Sequence, residues 1–277
     1  MSQDVLLHRG REFEIGEVRC GPADPELRVL GPIQGWCISF PRHPLELRAR
    51  TRSRFIADGC TALLLAPGTL LDRRALSGFG SRCHWLVLSD ALMNGAPDSC
   101  GPLLLSAFGG SRAIRLCKSP ALTLLEHRLF RRAARASAGE CDLSEMASQV
   151  VECATASHAP ASRPGADSAL ADAARTILAQ DPVNAPHSDA LADRLGVSVF
   201  HLCRAFRRAT GQTIQQFARR LRLDLALERL AEPDVDLSRL ALDLGFSSHS
   251  HFSAAFRGTF GLSPSTYRER RRRRAIA

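Results

Sequence analysis

"LGFSSHSHFSAAFRGTFGLSPSTYR" runs from Leu244 to Arg268. It carries a glycine stop at Gly245, serines Ser247 and Ser248 in helix-capping position, and a second glycine at Gly261 before Ser263-Pro264. Phe252 and Phe256 lie between the glycines at helical spacing. Glycine tolerates the left-handed conformation that ends a helix. A serine oxygen accepts the otherwise unpaired backbone N–H groups that begin the next one, and proline suits a first helical position. The stretch therefore predicts two helix ends with a sharp turn between them, then the start of a further helix.

The same device occurs fifty residues earlier, in "LGVSVFHLCRAFRRATGQTIQQF", Leu195 to Phe217. Leu191, Ala192, Leu195-Gly196 and Val197 match Leu240, Ala241, Leu244-Gly245 and Phe246 at an offset of 49. His201, Leu202, Ala205-Phe206-Arg207 and Gly211 match His251, Phe252, Ala255-Phe256-Arg257 and Gly261 at an offset of 50. The single-residue difference falls at the cap, where a turn absorbs it, so this is an internal repeat. Each copy predicts a short helix (Asp189–Leu195 or Leu237–Leu244), a glycine turn, a cap at Ser198 or Ser247/Ser248, and a second helix. Leu202, Ala205 and Phe206 face inward in the first copy, Phe252, Ala255 and Phe256 in the second. A plain helical hairpin uses the same turn chemistry. Two copies in a basic background favour the helix-turn-helix unit, whose second helix enters the DNA major groove. Between them, Thr213 to Glu232 shows apolar stripes on two faces, Ile214/Phe217/Leu221/Leu225 and Leu223/Leu227/Leu230, as expected of a helix packed on both sides. At 1.5 Å per residue its ~19 residues span roughly 28 Å, against about 34 Å between successive major grooves.

The charge agrees. The 277 residues carry 37 Lys+Arg against 28 Asp+Glu, a net +9. Residues 187–277 hold 16 arginines and 9 acids, the footprint of a polyanion-binding module. Five of those arginines form the run Arg270–Arg274, which reads either as extra nonspecific DNA affinity or as a solvated tail. "SHAPASRPGAD", Ser157 to Asp167, lacks periodicity and reads as a linker, placed at 158–165.

Before the linker the pattern differs. Residues 1–115 hold short apolar runs, Ala62–Leu65 and Trp85–Leu88, punctuated by Asp58-Gly59, Pro67-Gly68 and Gly78–Gly80, which predicts a β sandwich or small barrel. Residues 116–157 then show two helical stripes: Leu122, Leu125, Leu129 and Ala133, then Leu143, Met146, Ala147, Val150 and Ala154. Asp142 with Glu145 resembles a capping box. The two helices form either a packing layer on the β region or a dimer interface. The expected class is α+β: a β-rich N-terminal region with accessory helices, then an all-α C-terminal region.

Residues 166–277 resemble the DNA-binding domain of the AraC/XylS family, in which one long helix joins two helix-turn-helix motifs. "GFSSHSHFSAAFRGTFGLSPSTYR" is similar to the family's signature almost position by position, including Ser263-Pro264 and the following Tyr267. The N-terminal half looks, less specifically, like the cupin-type sensor domain of many members. Residues opposite the buried stripes are Phe200, Cys203, Arg204 and Arg207, carried by the repeat to Ser250, Ser253, Ala254 and Arg257, with His249 on the leading turn. The resemblance assigns base contact to Phe200, Cys203, Arg204, His249, Ser250 and Ser253. Arg204 suits guanine, whose O6 and N7 a guanidinium bonds together, and Phe200 suits thymine methyls. Arg207, Arg208 and Arg257 suit phosphate, which positions without specifying sequence. Cys203 and Ala254 depart from the long polar side chains usual in the family, leaving the target sequence open.

The implied partners are double-stranded DNA, a small-molecule effector, RNA polymerase for an activator, and a second copy in a homodimer. Activation is the mode the family resemblance favours. No cofactor is implied, and no enzyme activity. A cupin enzyme holds its metal with an HxH pair, and none of His8, His43, His84, His127 or His158 forms one. GxSxG, Walker and HExxH motifs are missing, as is the PCxxC-type motif of the alkyl-transfer repair proteins that share this helical domain. His84 reads as a core or strand-edge residue rather than a ligand. The nine cysteines include no CxxC and read as small buried hydrophobes, the alternative being a thiol or metal sensor. The N-terminal stretch is too polar for a signal peptide and no later run approaches a membrane span, so a cytoplasmic location is expected.

Overall fold

The computed structural model describes residues 3–21, 29–30, 32–49, 54–76, 80–89, 113–135, 139–156, 166–230, 232 and 234–276. The predicted linker at 158–165 lies outside them. The chain divides into two compact units, Met1–Gly165 and Ala166–Ala277.

The first unit is built on β1 (Gln3–Arg9), β2 (Phe13–Cys20), β3 (Val29–Leu30), β4 (Trp36–Pro41), β5 (Leu45–Ala49), β6 (Arg54–Ala57), β7 (Thr61–Leu65), β8 (Leu71–Ala75), β9 (Ser81–Leu88) and β10 (Ala113–Cys117). They form a six-stranded sheet, β1-β2-β9-β4-β7-β10, and a four-stranded sheet, β3-β8-β5-β6, with antiparallel pairings. The period of two then sorts the core into two layers. Cys37, Leu63, Leu65 and Cys83 point from the large sheet toward Leu45, Leu47 and Leu71 of the small one. Ile38, Phe40, Ala62, Leu64 and Leu86 point the other way, onto α1 (Pro120–Ala133) and α2 (Glu140–Ala156). Strand β7, covered on both faces, is buried at all five residues and so reads as a continuous apolar run.

The open question about the helix pair is answered by that second layer. Leu122, Leu129, Ala133, Leu143, Ala147, Val150 and Ala154 are spent on the sheet and on each other, within one chain. Other expectations are corrected in detail. β structure continues to Cys117, because Ile114 and Leu116 alternate into the core opposite Leu64 and Ala62 of β7. There is no capping box at Asp142. Helix α2 already begins at Glu140, Asp142 pairs with Arg132 at 3.3 Å, and Glu145 accepts a bond from Gln149.

The second unit contains α3 (Ala166–Gln180), α4 (Ser188–Leu195), α5 (Val199–Thr210), α6 (Ile214–Arg229), α7 (Leu237–Asp243), α8 (His249–Phe260) and α9 (Pro264–Ile276). The connecting helix α6 has 16 residues rather than about 19, which shortens it to roughly 24 Å. Among the described residues, no helix is long and apolar enough to cross a membrane.

Candidate nucleic-acid interface

Helices α4 and α5 form the first unit of the repeat, α7 and α8 the second. Gly196 and Gly245 make the turns with φ of 66° and 73°, in the left-handed region that disfavours residues with a Cβ. Ser198 then accepts from the His201 N–H at 3.3 Å, and Ser248 from the His251 N–H at 3.1 Å. Gly211 and Gly261 close α5 and α8 with φ of 72° and 74°. The correspondence runs on past the glycines. Thr213 and Gln216 form a capping box at the start of α6, and Ser263 caps α9 by accepting from the Thr266 N–H.

Aromatic packing holds each reading helix. Phe206 meets Phe217 edge-on at 5.4 Å. In the second copy Phe246, Phe252, Phe256, Phe260 and Tyr267 form a continuous ladder with centroids 4.8–6.0 Å apart. Offset and edge-to-face rings of this kind contribute beyond their buried area. The phenylalanine stripe of the opening stretch is thus the keel of α8.

With those faces buried, the opposite faces are left to solvent. On α5, Phe200 is 76% exposed, and Cys203, Arg204, Arg207 and Arg208 are exposed beside it. On α8, His249, Ser250, Ala254 and Arg257 are exposed and Ser253 is half-buried. His249 Nε2 lies 3.3 Å from Ser253 Oγ, so these two present a linked polar edge. Sequence reasoning passed over Val199, 41% exposed next to Phe200. Its place directly after the Ser198 cap was the available signal.

The arginines divide into two kinds. Arg175, Arg220 and Arg222 lie over the rings of Phe217, Phe260 and Phe246 at 5.4–5.5 Å, and Arg222 also donates to the Gly245 carbonyl. Burial lowers the Arg222 pKa, with the nearby Arg219 charge adding to it. Arg229 pairs with Asp243, and Arg268 donates to the Val235 carbonyl. These are structural, and composition could not separate them from the rest. Arg204, Arg207 and Arg257 make no ion pair among the described residues. Arg208 does, holding Asp167 of α3 at 2.6 Å. The arginine run continues the backbone of α9 through Arg274, and its side chains beyond Arg270 lie outside the described residues.

Among its described residues the first unit shows no comparable exposed constellation. Its buried polar centre is Glu126, which accepts from Lys118 at 2.6 Å, Arg42 at 3.3 Å and His84 at 3.0 Å. Burial alone would raise this carboxyl, but Lys118, Arg42 and His84 outweigh it and hold it well below the usual range. His84 is stacked on Phe130 at 4.3 Å, and burial lowers its pKa despite the Glu126 hydrogen bond and charge. It is a core residue. Among the described residues no cluster of His, Cys, Asp and Glu could hold a metal ion. Cys20, Cys37, Cys60 and Cys83 are buried as expected, but Cys117, Cys141 and Cys203 are exposed and Cys153 is half-buried. The expectation of buried cysteines fails at these positions on β10, α2 and α5, which face wholly or partly outward. Burial pushes the Cys37 thiol up to about 12 and raises Cys83 as well, the opposite of what a reactive thiolate needs.

Residues 191–270 match a model of a helix-turn-helix domain. SoxS of Salmonella typhimurium, a regulatory protein, is 39% identical over 82 residues, which cover 30% of this chain and 77% of SoxS. The chain belongs to the AraC/XylS family of transcriptional regulators. Another member, the transcriptional activator RhaS of Escherichia fergusonii, is 39% identical over 83 residues. That match spans only 30% of RhaS and 30% of this chain. A solved structure of ToxT from Vibrio cholerae covers 94% of this chain and 98% of its own at 12% identity and a TM-score of 0.37, too loose a likeness to bear on function.

Proposed function

We propose that this family member binds double-stranded DNA sequence-specifically, laying α5 and α8 in two major grooves and regulating transcription from there. The observation that carries the reading is the matched pair of helices. Each is capped at both ends and buried along one face, and each exposes a different recognition surface on the other. In α5 that surface is Phe200, Cys203 and Arg204, suited to thymine methyl and guanine. In α8 it is His249, Ser250 and Ser253, suited to hydrogen-bonding edges. Arg207 and Arg257, one turn further along, take phosphate, and Arg208 does so once released from Asp167.

The chain acts as an activator in this reading, as the name of RhaS supports, and so engages RNA polymerase. It works as a homodimer in the cytoplasm, with the β-sandwich unit serving the dimer contact and a small-molecule effector. A cysteine-based sensor is the weaker alternative, since Cys37 and Cys83 of the sandwich are buried and hard to ionise.

The test is selection of DNA sites from a random pool by the full-length chain, followed by isotherms on the recovered and scrambled duplexes. A specific-to-scrambled ratio of about 10³ or more is expected. Binding that is no tighter to the recovered site than to its scramble would refute sequence-specific recognition.

A further inference from the structure

The two copies of the repeat differ in how their turns are held. Gly196 and Gly245 take matching left-handed conformations, φ 66° and 73°. A Cβ at Gly196 would meet nothing within 4 Å. At Gly245 it would lie 3.0 Å from the Val183 carbonyl oxygen and 3.4 Å from Arg222 Nη1. The second turn is therefore gripped from two sides. On one side stands the loop between α3 and α4, closed on itself where Asp181 accepts from the backbone and side-chain amides of Asn184 at 3.1 and 2.9 Å. On the other is α6, from which Arg222 donates to the Gly245 carbonyl at 2.9 Å and lays its guanidinium over Phe246 at 5.5 Å. Phe246 in turn meets His251 edge-on at 5.5 Å and Phe252 at 5.3 Å, both near the start of α8. At the offset of 49 that relates the turns, the place of Arg222 is taken by Ala173 of α3, whose side chain has no donor to offer.

The grip bears on which bases the second reading helix meets. Gly245 lies just before α8, so a tilt of the turn is carried along the whole helix. A tilt of about 10° swings the far end of α8, about 18 Å on, by about 3 Å. That is nearly one base-pair step of about 3.4 Å. The length of α6 sets how far apart the two heads stand, but the second head pivots about its turn unless the turn is held. We propose that Arg222 is a positioning residue for DNA reading. By pinning the second turn to α6 it fixes α8 relative to α5, and so sets the one separation between base-reading blocks that the chain accepts. Arg222 reaches no base itself and acts through Gly245 and Phe246. A guanidinium suits both tasks at once, since its edge donates while its flat face covers a ring.

The proposal rests on the sequence-specific reading above, and the experiment separates their failures. The probes are the duplex recovered from the random pool and versions with one base pair added or removed between its two selected blocks. The full-length wild type should bind the altered spacings about tenfold more weakly or worse. Arg222→Ala, with unchanged far-UV CD, should lose most of that preference, while single-base changes inside either block cost it what they cost the wild type. Arg222→Lys, which restores a donor to the Gly245 carbonyl, should recover part of the preference. A wild type that does not tell the recovered site from its scramble sinks the sequence-specific reading and this one with it. A wild type that is specific yet indifferent to spacing overturns the positioning role alone. So does a folded Arg222→Ala chain that is weaker on every duplex by one common factor, since that is the mark of a merely structural residue. Arg222→Met keeps the stem over Phe246 without the donor and covers the case in which the alanine variant does not fold. A folded methionine variant as selective for spacing as the wild type also overturns the role.

Discussion

Arg204 and Arg207 share the exposed face of α5 and differ by one helical turn, so they separate reading from positioning. Arg204→Ala should weaken the specific site more than random DNA and relax preference at one base pair, a difference of about 1–3 kcal/mol. Arg207→Ala should weaken both equally and flatten the salt dependence by about one unit of slope. Isotherms for both variants on specific and scrambled duplexes at several salt concentrations test this. An unchanged specific-to-random ratio for Arg204→Ala would show that this side chain reads no base. Arg208 behaves differently, because Asp167 already occupies it. Asp167→Asn should free it and tighten binding to random DNA severalfold, with a steeper salt slope. If the slope does not move, Arg208 is not a phosphate ligand.

At the scale of elements, the turn glycines and helix glycines carry opposite expectations. Gly245 sits at φ 73°, and a Cβ there would lie 3.0 Å from the Val183 carbonyl oxygen. Gly245→Ala should therefore cost about 1–2 kcal/mol, from the left-handed backbone and the close approach together. Gly258 lies inside α8 with open space where its Cβ would be. Gly258→Ala should stabilise by about 0.5–1 kcal/mol, since glycine mid-helix pays excess chain entropy. Thermal melts of the two variants, moving in opposite directions, are the check. These elements were legible because caps and turns are local chemistry: Gly196, Ser198, Gly245 and Ser263 each act on backbone groups within a few residues. Helix α2 was misread at its start for the complementary reason. Asp142 and Glu145 fit a local template, but Arg132 and Gln149 claim their side chains.

For the whole molecule, acid sensitivity should reside in the β unit. Burial pushes the Glu17 carboxyl up, but hydrogen bonds from Arg19 and Arg82 and the Arg82 charge outweigh it and lower it from 4.5 to about 2. A depressed carboxyl stabilises the fold above its unfolded value, and that contribution is lost as pH falls from about 4.5 towards 2. Glu126 adds in the same direction. Glu17→Gln should be less stable at pH 7 and show a flatter loss of stability across that window, read by urea melts at stepped pH. Residues 166–277 hold both reading helices and the helix between them. Expressed alone they should fold by far-UV CD and bind DNA, and an unfolded fragment would sink that expectation.

The repeat, its caps and the exposed faces of α5 and α8 could be read from the chain alone. Helical periodicity and capping depend on neighbours within one or two turns, and duplication states the same signal twice. The arginines could not be sorted that way. Arg220 and Arg204 are alike in sequence, and only packing lays one over Phe260 and leaves the other to solvent. The β unit was legible as strands but not as layers. Whether Cys37 and Ile38 face the second sheet or the helices depends on partners up to about a hundred residues away. Tertiary structure likewise decided that the stripes of α1 and α2 are core, because an apolar stripe is the same in sequence whether it covers a sheet or a second copy. It also left Val5 and Leu6 uncovered, a property of the edge on which β1 falls rather than of the residues in it.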